Sequence, residues 1–175
     1  WTNEGKKISK SEGNVIDPID IINDYGLDQI RYFLMREVPF GSDGDFSKIA
    51  LKARINSDLS NDLGNLCQRV ISMIYKNCSG KIPFKCKILN EQDKLFYNKS
   101  NALYNEVKLE IEKQSFHEAL KLIWKFISTA NKYVDEQAPW KLKNENKTRM
   151  DDVLWILADN IRKIAILTQP FIPYA

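Results

Sequence analysis

Histidine and cysteine are scarce in this chain, which has one histidine, His117, and three cysteines, Cys67, Cys78 and Cys86, in 175 residues. No two cysteines form a C-x-x-C pair, and a zinc site needs four converging nitrogen or sulfur ligands. The sequence therefore predicts no metal site. We expect reduced, unpaired thiols and a structural or solvated histidine.

Long apolar runs and a strong excess of one charge are also missing. No run approaches the roughly 20 apolar residues that cross a membrane, and the first residues do not form a signal peptide. A net charge of +3 permits nucleic-acid binding without requiring it, and 28% charged residues in a chain of ordinary apolar content argue against disorder. We expect a cytoplasmic protein with no membrane partner.

Helix signals divide the chain into short N-terminal elements and long helices. Asp17-Pro18 pairs an N-cap with proline at the first helical position, and Ser47 caps a later helix. The segment from Ser115 to Glu118 predicts a capping box, and Asp151-Asp152 places negative charge where another helix should begin. The predicted helices cover about residues 18–23, 28–37, 56–77, 91–113, 116–136 and from 151 onward. Four long amphipathic helices with short connections predict an antiparallel bundle.

Residues 5–14, GKKISKSEGN, contain three lysines, two serines and two glycines without a helical or strand period. Glycine lets a backbone come close to a ligand, and hydroxyl, amide and lysine groups bind anions, so the segment predicts a mobile anion-binding loop. Its spacing is not that of a Walker A loop. Lys7-Ile8-Ser9-Lys10-Ser11 resembles the KMSKS signature of class I aminoacyl-tRNA synthetases, with Ile8 in place of methionine.

Four further segments, in the same order along the chain, resemble the methionyl-tRNA synthetase family. They cover residues 13–18, 28–34, 36–47 and 131–140. The resemblance implies a mainly α fold, in which a small α/β stem-contact fold precedes the antiparallel helix bundle. It divides the chain into residues 1–17, with the KMSKS loop at the end of a catalytic domain, residues 18–55, the stem-contact fold, and residues 56–175, the anticodon-binding bundle.

The resemblance assigns roles to the loop. It implies that Lys7 and Lys10 are catalytic and that Lys7, Ile8, Ser9, Lys10 and Ser11 bind ATP, which carries Mg²⁺ in the full enzyme. A lysine that reaches the departing phosphates only in the transition state lowers the barrier to adenylate formation.

A second set of residues has the chemistry of a base reader. Asn61, Asn65 and Arg69 share one polar helix face by their four-residue spacing, and Trp140 follows a helix end. Unpaired RNA bases stack on aromatic rings and are read along their edges. The resemblance implies that Asn65, Arg69 and Trp140, and more weakly Asn61, bind the anticodon of methionine tRNA.

Arg31 and Tyr32 follow family positions near the acceptor end of the tRNA, where they either contact tRNA or pack the second helix. The other three tryptophans, Trp1, Trp124 and Trp155, are expected to be packed.

The chain begins at Trp1 and stops shortly after Pro173, which suits the first turn of another helix. We interpret it as the C-terminal part of a larger enzyme whose N-terminal catalytic domain is missing, and expect it not to activate methionine alone. Two alternatives stay open: a non-catalytic tRNA-binding module, and a related class I synthetase for another apolar amino acid. The loop speaks against the first, and residues 38–45 speak for methionine.

Overall fold

The structure is a computed structural model that describes residues 1–9, 11, 13–84 and 89–175. Its strands are β1 (Thr2–Asn3), β2 (Lys6–Lys7) and β3 (Asp45–Phe46). Its helices are α1 (Pro18–Tyr25), α2 (Leu27–Glu37), α3 (Lys48–Arg54), α4 (Asn65–Asn77), α5 (Glu91–Glu112), α6 (Phe116–Gln137), α7 (Pro139–Glu145) and α8 (Lys147–Thr168). A helical segment with wide, π-type turns, Ile55–Gly64, joins α3 to α4.

The three short strands form one sheet in the order β2-β1-β3. β1 and β2 are antiparallel and are joined by Glu4 and Gly5, which both have positive φ, as a tight hairpin turn requires. β3 runs parallel to β1. The Asp45 carboxylate accepts hydrogen bonds from the Thr2 hydroxyl and from the Gly5 amide at 2.8 Å, which fixes the hairpin. The hydrogen bond from Thr2, and after it the one from Gly5, lower the pKa of Asp45.

α1, α2 and α3 surround a small apolar core of their own. The predicted caps are present: the Asp17 carboxylate accepts from the Ile19 amide at 2.8 Å, and the Ser47 hydroxyl accepts from the Ala50 amide at 3.3 Å. The buried residues of this core are Ile21, Ile30, Phe33, Phe46 and Leu51. The core therefore ties the sheet to the three helices.

The wide-turn segment was not predicted, since the sequence indicates an ordinary helix there. A side chain at Gly64 would place its Cβ 3.0 Å from the Leu59 carbonyl oxygen, so glycine suits this crowded turn. The segment also buries Asp58, which accepts from the Tyr32 hydroxyl at 2.6 Å and from Arg54 at 3.4 Å. A helix of uniform α pitch was therefore the wrong expectation for residues 55–64.

The second and larger core lies between α4, α5, α6 and α8. α5 and α6 follow each other through a short turn and pack side by side, so they are antiparallel. Phe96 of α5 stacks on Phe126 and Tyr133 of α6, with ring centroids 5.3 and 4.5 Å apart. The fold prediction is confirmed: the chain is mainly α, with a helix bundle after a small α/β unit.

Three local predictions in the bundle were wrong. The Ser115 side chain makes no capping bond, and Glu118 pairs instead with Lys121. α8 begins at Lys147, four residues before Asp151, because the Asn146 side chain caps it by accepting from the Arg149 amide at 3.0 Å. α7 was not predicted at all: α6 ends close to the expected residue 136, but Pro139, just beyond that end, occupies the first turn of a new helix.

The two cores meet at α2, since Tyr32 belongs to the bundle core and Phe33 to the smaller one. The division at residues 17/18 and 55/56 stays a prediction. Among the described residues, no helix combines the length and apolarity needed to cross a membrane.

Candidate functional site

The segment after β2 forms a loop that one asparagine holds at its base. The Asn14 side chain accepts a hydrogen bond from the Ser9 amide and donates one to the Lys7 carbonyl, both at 2.8 Å. Its own carbonyl accepts from the Asn3 side chain of β1 at 3.0 Å. Asn14 therefore anchors both the start and the end of the loop to the sheet.

The loop presents a cation and hydroxyl groups at the surface. Lys7 is exposed, and the hydroxyl oxygens of Ser9 and Ser11 lie 2.6 Å apart. A lysine and neighbouring hydroxyls are donors suited to phosphate oxygens. Lys10, the other predicted catalytic residue, lies outside the described residues, as does Glu12. The roles assigned to the loop stay predictions.

Ile8 gives the loop an apolar contact. It lines a shallow groove of about 280 Å³ together with Trp1, Leu34 and Phe46. Trp1 was expected to be packed and is 43% exposed at the edge of this groove. An apolar residue at this position of the signature therefore seats the loop against the smaller core.

Two of the predicted anticodon residues, far apart in the sequence, meet in the structure. The guanidinium carbon of Arg69 on α4 lies 5.6 Å from the centroid of the Trp140 ring, within the range of cation–π contacts. Asp135 of α6 forms an ion pair with Arg69. Trp140 is 45% exposed, unlike the buried Trp124. A half-exposed indole therefore lies beside a planar guanidinium group that carries hydrogen-bond donors.

The position of Trp140 follows from the corner between α6 and α7. α6 ends at Gln137, and Ala138 adopts the left-handed conformation with φ 41° and ψ 58°. The buried Pro139 then begins α7, and Trp140 is the second residue of that helix. Trp140 therefore lies directly after a one-residue corner between two helices.

A buried carboxylate lies behind the corner. We call Asp93, Tyr133, Gln137 and Arg149 the Asp93 cluster. Asp93 is fully buried and accepts two hydrogen bonds from the Arg149 guanidinium at 2.7 and 2.8 Å, one from the Tyr133 hydroxyl at 2.5 Å and one from the Asn90 amide at 3.1 Å. Burial alone would raise the pKa of Asp93, but the bonds from Arg149, Tyr133 and Asn90 outweigh it and hold that pKa below its usual range.

Asn65 and Asn61 are exposed on the helix that carries Arg69. Asn65 is the first residue of α4, one turn before Arg69, whereas Asn61 lies in the wide-turn segment, where four residues no longer make an α-helical turn. Their assignment to the anticodon stays a prediction.

Arg31 and Tyr32 contact other parts of the protein. The Arg31 guanidinium donates to the carbonyls of Pro170 at 2.8 Å and Phe171 at 3.3 Å. Tyr32 has no exposed surface, and its ring packs on Trp124 with centroids 4.5 Å apart. Of the two alternatives left open for Tyr32, this burial favours packing, and the assignment of Arg31 and Tyr32 to the acceptor end of the tRNA stays a prediction. Arg31 clamps the C-terminal residues onto α2.

The described residues contain no group of three or more His, Cys, Asp or Glu side chains that could hold a metal ion. Cys67 and Cys78 are free and half-buried, and burial raises the pKa of both thiols. Cys86 lies outside the described residues. His117 contacts Glu118 at 3.2 Å.

Comparison with known proteins gives matches along most of the chain. A family model described as "tRNA synthetases class I (M)" matches residues 1–71, and one described as "Anticodon-binding domain of tRNA ligase" matches residues 93–175. The methionine–tRNA ligase of Brucella suis biovar 1 is 47% identical over 171 residues, and that of Caldanaerobacter subterraneus subsp. tengcongensis is 51% identical over 172 residues. The chain belongs to the methionyl-tRNA synthetase family.

The match covers this chain almost completely but its relatives only in part. It takes in 98% of the chain and 33% of the Brucella suis relative, so the chain spans about a third of the length of the curated relatives it matches. A structure of Mycobacterium tuberculosis methionyl-tRNA synthetase in complex with methionyl-adenylate is 39% identical, with a TM-score of 0.93 over 99% of this chain and 35% of that one. The free-state structure of the same enzyme has a TM-score of 0.86 over 91% of this chain.

Three features of this methionyl-tRNA synthetase segment were missed from the sequence. Asp135 lies inside the segment that resembles the family, but nothing in the sequence links it to Arg69. Asn14 was read only as part of a family match, although a polar residue beside a glycine often closes a loop. The pairing of Asp93 with Arg149 had no sequence signal, because a contact between two distant helices leaves no local pattern.

Proposed function

We propose that this chain is the part of a methionine–tRNA ligase that reads the tRNA anticodon and supplies a loop to the ATP site. The whole enzyme attaches methionine to its tRNA in an ATP-dependent reaction of two steps, in which ATP is consumed in the first, adenylate-forming step. Because the relatives are about three times as long as this chain, we propose that a catalytic domain outside these residues is a further partner. The cytoplasm, where tRNAs are charged, stays the expected compartment.

The observation that carries the proposal is the contact between Arg69 and Trp140. A half-exposed indole can stack on an unpaired base, and the guanidinium beside it can donate to the edge of that base or its neighbour. The ion pair with Asp135 holds Arg69 next to the ring in the absence of RNA. These features suit base recognition better than phosphate binding, which needs charge but no open aromatic face.

The test is the binding of this chain to anticodon stem-loop RNAs by fluorescence anisotropy. One RNA carries the CAU anticodon, and the others carry single changes in it. Trp140→Ala should lose stacking worth roughly 1–3 kcal/mol, and Arg69→Gln should lose a charge and a directional contact. Both variants should reduce the preference for CAU.

Tyr104→Ala is the matched control, since Tyr104 is an exposed aromatic residue on α5. It should leave both the affinity and the preference unchanged. If Trp140→Ala and Arg69→Gln keep the full preference for CAU and lower only the melting temperature, the anticodon is recognised elsewhere.

For the loop, we propose ATP with its bound Mg²⁺ as the ligand and Lys7 and Lys10 as the groups that contact its phosphates. In the complete ligase, Lys10→Ala should slow adenylate formation by an amount equivalent to roughly 2–4 kcal/mol, because one charge-assisted contact in the transition state is lost. Stopped-flow kinetics separate this rate from ATP affinity. An unchanged rate with weaker ATP binding would make the loop a ground-state binder.

A further inference from the structure

The corner that carries Trp140 has a backbone conformation that is not stable without contacts from its surroundings. Ala138 is left-handed, with φ 41°, and this conformation is unfavourable for an L-residue with a side chain because its Cβ comes close to the following carbonyl oxygen. Such a conformation persists only where the surroundings impose it. The contacts that impose it therefore also determine where Trp140 points.

Gln137, the residue before the corner, is held from two sides. Its side-chain oxygen accepts a hydrogen bond from Arg149 of α8 at 2.5 Å, and its side-chain nitrogen donates one to Gln92 of α5 at 2.6 Å. Gln137 thus connects the end of α6 to both neighbouring helices at the point where the chain turns.

Arg149 is itself fixed, because its guanidinium forms two parallel hydrogen bonds with the buried Asp93 carboxylate. Such a fork has one orientation only, so the bond to Gln137 has a defined direction. The Asp93–Arg149 pair is complete without Gln137, whose side chain lies at the half-buried edge of the cluster. Removing the Gln137 side chain therefore frees the corner without stranding the buried charge.

We propose that Gln137, oriented by Arg149, is a positioning residue for Trp140 and hence for anticodon preference. This inference rests on the proposed function. In the described part of the chain the side-chain hydrogen bonds of Gln137 go to Arg149 and Gln92 rather than to Trp140, so Gln137 acts through the left-handed corner that lies between them. A role in stability alone predicts something different, because a smaller folded fraction weakens the binding of every RNA by the same factor.

The experiment measures the ratio of dissociation constants for an altered-anticodon stem-loop and the CAU stem-loop, using this chain and the variants Gln137→Leu, Gln137→Glu and Arg149→Lys. In Gln137→Leu the ratio should fall by about fivefold to tenfold, which corresponds to about 1–1.4 kcal/mol. Gln137→Glu, which still accepts from Arg149, should keep the wild-type ratio. In Arg149→Lys the ratio should also fall, because the lysine ammonium can still pair with Asp93 but lacks the planar fork that orients Gln137.

The outcomes separate this inference from the proposed function. If Trp140→Ala and Arg69→Gln both keep the wild-type ratio, the proposed anticodon site itself fails, and if Trp140→Ala alone keeps it, the positioning role fails. If the ratio falls in Trp140→Ala but stays at its wild-type value in Gln137→Leu and Arg149→Lys, only the positioning role fails. If Gln137→Leu weakens the binding of both RNAs by the same factor, the positioning role is also overturned, because this result shows a loss of folded protein rather than a change in the orientation of Trp140. Should Gln137→Leu not fold, Gln137→Glu and Arg149→Lys decide alone, and equal ratios in these two variants reject the inference.

Discussion

Removing the charge partner of Asp93 should destabilise the bundle far more than removing an exposed partner elsewhere. In Arg149→Met the Asp93 carboxylate stays fully buried but loses two of its four hydrogen bonds and its counter-ion. Stranding one member of a buried pair costs about 3–5 kcal/mol. A chain of this size shifts its melting temperature by roughly 2–4 °C per kcal/mol, so the loss should be about 6–20 °C.

The same substitution at Arg162 is the matched control. Arg162 pairs with Asp159 within α8, and its side chain is 61% exposed. Exposed pairs contribute about 0–1 kcal/mol, so Arg162→Met should lower the melting temperature by only a few degrees. Urea unfolding at neutral pH, followed by circular dichroism, gives both free energies of unfolding.

The pH dependence should identify the cause. In the wild type the pKa of Asp93 lies below its unfolded value of about 3.9, so its contribution to stability is present above that pH and is lost as the pH falls through the folded pKa. In Arg149→Met, burial is opposed only by Tyr133 and Asn90, so the folded pKa should rise above the unfolded value. Protonation then relieves the buried charge, and the deficit relative to wild type should shrink as the pH falls from neutrality toward the unfolded pKa. The double variant Asp93→Leu/Arg149→Met should recover most of the loss. If Arg149→Met costs no more than Arg162→Met, or if the deficit grows on acidification, the burial argument is refuted.

Two other predictions concern tyrosines whose hydroxyl groups donate to carboxylates. Tyr32→Phe should cost about 1–2 kcal/mol in urea unfolding, because Asp58 loses its 2.6 Å donor but keeps Ser57 and Arg54, and the CAU preference should not change. Burial, followed by the hydrogen bond to Asp159, raises the pKa of Tyr97 to about 12. An ultraviolet difference titration of wild type against Tyr97→Phe should therefore show a step near that value, and a step at the ordinary value of about 10 would contradict the contact.

The helices were predictable where a local signal specifies them. The Asp17 and Ser47 caps bond as expected, and the apolar stripe of Leu66, Val70 and Ile74 faces the bundle core. These features depend on neighbours within a few residues, which the sequence displays directly. The family match added the order of the units, which no local pattern contains.

The sequence was less informative where two distant segments decide the outcome. The wide turns at 55–64 depend on what Asp58 contacts across the helix interface, and the start of α8 depends on one of several polar residues that could cap it. Pro139 suits either the end of one helix or the first turn of the next. Only the left-handed Ala138 distinguishes these possibilities, and alanine gives no sign of that conformation.

The residues that lie next to the corner of the candidate anticodon site are polar, and there is a physical reason for this. An aromatic residue that accepts a base cannot also be packed on both faces, and Trp140 keeps 45% of its surface exposed beside Arg69. Apolar packing alone is a weak guide to direction, whereas hydrogen bonds from a fixed guanidinium are directional. Buried ion pairs contribute little net stability compared with apolar packing, so their presence in a core calls for another reason. The positioning role that we propose for Gln137 gives such a reason, because the Asp93–Arg149 pair fixes the donor that Gln137 accepts from, one residue before the corner that carries Trp140.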